Sequence, residues 1–151
     1  MTDQHSNHTV QKKTRPLSVT LLALGVLSIA LVNLAGFVQG IFTWDFLEKL
    51  LPFSPAWIGI TRLFWGAWGI LVALNLWYGR MVAPKLILWT SISFILYTWI
   101  NRLVLFNPAG RSANDGFLLV ISIFFITFVI WTITSREAKS FFGVINEQPT
   151  G

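Results

Sequence analysis

Residues 17–42 read LSVTLLALGVLSIALVNLAGFVQGIF, and no charged side chain occurs anywhere from Pro16 to Trp44. A helix needs only ~20 apolar residues, rising ~1.5 Å each, to cross the ~30 Å hydrocarbon core of a bilayer. Lys12, Lys13 and Arg15 stand before the run. A basic flank followed by an apolar stretch also begins a secretory signal, but this run outlasts the ~7 to 15 residues of a signal's apolar core and ends without an A-x-A-like site. It reads as an uncleaved first crossing. Three more runs follow at about 55–78, 82–106 and 116–142.

Composition agrees with a lipid solvent. Hydrophobic residues are 54% of the 151 positions and charged residues 11%, against ~25% charged in an ordinary soluble domain. So short a chain cannot enclose four such runs in one water-facing fold. The expected fold is all-α, an integral membrane four-helix bundle at 15–142. A disordered cytoplasmic tail is expected at 1–14 and a flexible C-terminal tail at 143–151.

The net charge of +5 does not point to nucleic acid, because the basic residues are not gathered on one face. They mark the ends of the runs. Lys12, Lys13, Arg15, Arg80, Lys85, Arg136 and Lys139 fall on one side, and Lys49, Arg102 and Arg111 on the other. That asymmetry predicts both termini in the cytoplasm.

Between the first two crossings, Phe46, Leu47, Leu50 and Leu51 share one helical face and Asp45, Glu48 and Lys49 the other, after Thr43 as a cap. This is the pattern of a short interfacial helix. Ser54-Pro55 then opens the second crossing as N-cap and first helical residue, and Gly79 closes it. A tight turn at Met81-Val82-Ala83-Pro84 makes the second and third crossings antiparallel neighbours. Asn107 to Asp115 is rich in turn formers and reads as a loop. The fourth crossing is expected to run on through Arg136 to Phe142, bringing Phe141 and Phe142 to the headgroups before Gly143 ends it. Of the eight Trp, Trp44, Trp57 and Trp99 fit an outer aromatic belt and Trp77 and Trp131 an inner one. Trp65 and Trp68 lie mid-helix instead.

Arg62 is the one charge well inside a crossing, about seven residues or ~10 Å past Pro55. An arginine at a helix centre costs ~2.5 to 3.5 kcal/mol on insertion scales, so it is a functional candidate by default. It can also snorkel to the headgroups or pair with Asp45 or Glu48. Asn33, Tyr97, Asn101 and Ser122 fall at similar depth on the other three crossings, and with Arg62 they form the candidate ligand-binding set. Gly36 and Gly40 follow Asn33 at helical spacing, and Gly66, Gly69 and Ala73 follow Arg62. These five are the expected helix-packing residues.

Several chemistries lack their parts. Cysteine is absent, which removes thiolate catalysis, disulfides and Fe–S clusters. No Asp, Glu or His lies inside a crossing, so a carboxylate relay, intramembrane bis-histidine haem and a Ser-His-Asp triad have no residues. His5 and His8 are expected to be solvated, and no metal, cofactor or enzymatic activity is expected.

The stretches Arg15-Pro16-Leu17-Ser18-Val19-Thr20-Leu21-Leu22-Ala23-Leu24 and Trp44-Asp45-Phe46-Leu47, with Pro55, Gly79-Arg80 and Ala83-Pro84, resemble small four-helix bacterial integral membrane proteins of uncharacterised function. The resemblance implies the bacterial cytoplasmic (inner) membrane and carries no activity onto any residue. Two functions are expected, the first as the leading reading and the second as its alternative. One is a non-catalytic accessory or assembly subunit, with the lipid bilayer, a membrane-protein partner or a second copy as its surroundings. The other is a small-solute or lipid-binding or transport protein built on an outward-facing pocket around Arg62.

Overall fold

A computed structural model describes residues 15–50, 54–104 and 115–143. The tail expected at 1–14, most of that at 143–151, the loop at 107–114, and Leu51 of the interfacial segment lie outside these residues. Each helix begins and ends where backbone chemistry dictates. Pro16 is extended, and its carbonyl accepts from both the backbone and the hydroxyl of Thr20, starting α1 (Leu17–Phe42). The hydroxyl of Thr43, the expected cap of the short α2 (Trp44–Leu50), donates back to the Gln39 carbonyl at 3.0 Å. Ser54 Oγ does cap α3 (Pro55–Trp77), accepting from the Ala56 N–H beside a proline at the first position.

Gly79 stops α3 with φ of +63°. The Arg80 N–H bonds the Asn75 carbonyl and the Gly79 N–H bonds that of Leu76, a Schellman closure. α4 (Ala83–Val104) starts within four residues, so it runs back along α3. α5 (Asp115–Thr134) follows, and Arg102 of α4 forms an ion pair with Asp115 at its start.

The expected continuous helix to Phe142 is broken at Ser135. That residue is extended, its hydroxyl donates to the Thr132 carbonyl, and it caps α6 (Arg136–Phe141) by accepting from the Ala138 N–H. Ala138 and Phe142, beyond this break, are buried at 0% and 1% exposure, so Phe142 belongs to the core and not to a headgroup belt.

No strand occurs among the described residues. α1, α3, α4 and α5 are each long and apolar enough to cross a membrane, by length and composition, which marks a multi-pass membrane protein. At most 22% of any of these segments is buried inside the chain, and Val32, Trp89 and Phe124 stand exposed. In water such a surface would aggregate; in hydrocarbon it is solvated.

α1 and α3 form the most extensive pair, and α3, α4, α5 and α1 touch in turn. Small residues let the first pair approach. A Cβ at Gly69 would stand 2.8 Å from Ala30 Cβ, and one at Gly66 would stand 2.6 Å from the Leu34 side chain. α4 sits against α3 through an aromatic ladder instead. Trp65 meets Phe94 edge-on at 5.1 Å and Tyr97 at 5.4 Å, and Trp68 Nε1 donates to Thr90 Oγ1 at 3.0 Å.

The core is lopsided. Val19, Leu22, Val72, Leu76, Ala83, Ile87, Val129 and Phe142 cluster where α1 begins, α3 turns into α4, and α6 folds over. Arg15 lies over the Trp77 ring at 3.9 Å at this same α6 end. The opposite end, where α2 sits, is the open one.

Candidate functional site

At the α2 end a cavity of about 230 Å³ lies between α1, α2 and α3. Two helical stripes build it. Gly36, Gln39, Gly40 and Thr43 follow one another on α1 at spacings of three, one and three, and Pro55, Ile58, Gly59 and Arg62 do so on α3. Each set lies on one helix face. Trp44 and Leu47 of α2 complete the wall with Phe37 and Ile41.

Arg62 reaches across to α1. Its Nη1 donates to the Gly36 carbonyl at 2.8 Å, using the second lone pair of an oxygen within a helix. Gly36 makes this approach possible, because a Cβ there would stand 2.6 Å from Nη1 and 3.1 Å from Cζ. Among the described residues Arg62 has no carboxylate partner; Asp45 and Glu48 are exposed on α2, and the ion pair is Arg102 with Asp115. The guanidinium holds five N–H donors in a planar fork, and the carbonyl of Gly36 takes one.

No protein-family model, curated protein or solved structure matches this chain.

The other residues of the expected set do not converge on Arg62. Asn33 donates its amide to the Ile29 carbonyl of its own helix at 2.9 Å. Tyr97 lies in the aromatic ladder against Trp65. Asn101 accepts from Trp57 Nε1 at 3.5 Å, beside that ladder. Ser122 bonds the Leu118 carbonyl and lines a separate groove of about 510 Å³ between α4 and α5, with Ile92, Leu96 and Trp99. Equal depth placed these groups together; rotation about each helix axis separates them.

The packing residues divide as well. Gly66, Gly69 and Ala73 are buried on the α1 side of α3. Gly40 has no atom within 4 Å of where a Cβ would stand, and the three atoms nearest to one at Gly36 all belong to the Arg62 side chain. Both belong to the cavity, so the expected close approach of α1 to α3 stops short of them. Gln39 and Thr43 were not among the expected site residues. Their signal was present in the stripe through Gly36 and Gly40, which passes through both.

Proposed function

We propose that this chain is a non-catalytic four-helix bundle of the bacterial inner membrane, with both termini cytoplasmic and α2 in the outer interface plane. Its function is to bind a small solute or a lipid group in the cavity at Arg62, which opens toward the outer leaflet. One observation carries this reading. A guanidinium in an apolar helix donates across to the carbonyl of a glycine, and the same arginine lines a cavity of about 230 Å³. A merely tolerated arginine would be expected to pair with a nearby carboxylate or to leave for the headgroups.

The accessory-subunit reading has less support. It rests on short loops, the absence of catalytic side chains and small-residue faces that could pack against other helices, and the last of these is weakened because Gly66 and Gly69 face α1 of the same chain.

The test is native mass spectrometry of the protein extracted in mild detergent. The wild type should carry a bound small molecule or lipid in stoichiometric amount, and Arg62→Ala should lose it while keeping its oligomeric state. Equal occupancy in both would overturn the proposal.

A further inference from the structure

We infer that the group seated at Arg62 is a singly charged oxyanion of the phosphate type, carried by an amphiphile or a small solute. This rests on the binding reading above and adds the chemistry of the ligand. In an arginine, Nη1 lies on the same side as Cδ, and the opposite edge presents Nε–H and an Nη2 hydrogen in parallel. The Gly36 carbonyl takes Nη1. The edge left over is the one that grips two oxygens of a phosphate or carboxylate at once, a geometry lysine cannot offer.

Charge and shape narrow the class. Among the described residues, Arg62 is the only ionisable one lining the cavity, and Gln39 adds a neutral amide. One positive charge beside apolar walls is best balanced by one negative charge. Phe37, Ile41, Leu47 and Ile58 supply apolar walls, which favour an organic ester over a bare, fully hydrated ion. A volume of about 230 Å³ lies below the ~300 Å³ floor of pockets that engulf drug-sized ligands. It admits a headgroup, with any acyl chain left outside in the lipid.

The experiment uses the full chain in uncharged detergent and reads thermal stabilisation against ligand concentration. The probes are short-chain phosphatidylglycerol, inorganic phosphate, and uncharged diacylglycerol of the same chain length. Three variants accompany the wild type. Arg62→Gln removes the charge. Gly36→Ala pushes the guanidinium off its carbonyl while meeting only the tip of a flexible side chain. Gly40→Leu fills the cavity from a position with open space around it.

Phosphatidylglycerol should stabilise the wild type saturably, with apparent affinity falling at least ~10-fold in Arg62→Gln, the loss expected for a charged hydrogen-bonded pair. Gly36→Ala should weaken it too. Stabilisation by inorganic phosphate at equal or lower concentration would assign the oxyanion to a free solute, and its failure to act would assign it to a lipid headgroup. Both results support the inference. Diacylglycerol acting as well as phosphatidylglycerol, insensitive to Arg62→Gln but abolished by Gly40→Leu, would overturn the oxyanion and leave the binding cavity standing. No response to any probe, with Gly40→Leu identical to wild type, would overturn both.

Discussion

Arg62 and Gly36 act as a unit, because the arginine reaches its carbonyl only where α1 carries no side chain. The unit stands against stability. Replacing Arg62 with leucine removes a residue that costs ~2.5 to 3.5 kcal/mol at a helix centre and adds one that favours insertion. The ligand-free Arg62→Leu protein should therefore melt above the ligand-free wild type. A lower melting point would show the arginine to be a structural tie. Gly79 offers a contrasting case, since its φ of +63° is one that side-chain-bearing residues rarely adopt, and a Cβ there would stand 2.7 Å from the Phe141 ring. Gly79→Ala should lower stability by ~1 to 2 kcal/mol, read as a drop in melting temperature with unchanged oligomeric state.

Among the elements, α1 and α3 depend on glycine at some positions and not at others. Gly69→Val drives a branched side chain into Ala30, on a helix whose backbone cannot easily yield, and should separate the pair. Gly25→Ala meets nothing within 4 Å and should be neutral or stabilising by up to ~1 kcal/mol, because alanine favours helix. Parallel melting curves of the two variants check this, and equal losses would contradict the packing described. Ser135→Ala should cost ~1 kcal/mol through the lost α6 cap.

The ends of α1 and α3 were legible in the chain because Pro16, Ser54-Pro55 and Gly79 act on backbone within a turn of themselves. The break at Ser135 was not. Ser28 and Ser122 also sit in apolar runs and merely bond a carbonyl one turn back; Ser135 turns the chain because Phe142 finds a core to enter. The candidate site divided in the same way. Arg62, Gly36 and Gly40 were legible through helical spacing, whereas Tyr97 and Ser122 were grouped by depth alone. A helix apolar on every side carries no polar face to fix its rotation.

At the scale of the whole molecule, the buried core lies at the α6 end and the proposed ligand cavity at the α2 end. The proposed orientation places them at opposite leaflets. Since cysteine is absent, single replacements report sidedness cleanly. In intact cells, Ser112→Cys should react with a membrane-impermeant maleimide, and Ser6→Cys should react only after lysis. The reverse pattern would invert the topology.

The internal bonds of the polar side chains also bear on biosynthesis. Asn33, Thr61, Asn75, Thr98, Ser122 and Thr134 each bond a carbonyl of their own helix. These six groups can therefore enter lipid from the ribosome's exit path without waiting for a neighbour. Arg62 is different, since its acceptor, like those of Trp57 and Trp68, belongs to another segment. That segment is α1, made first during N-to-C synthesis, so the Gly36 oxygen is already in the bilayer when the guanidinium arrives. Moving α1 behind α3 by circular permutation would reverse that order and leave the arginine to enter lipid without its acceptor.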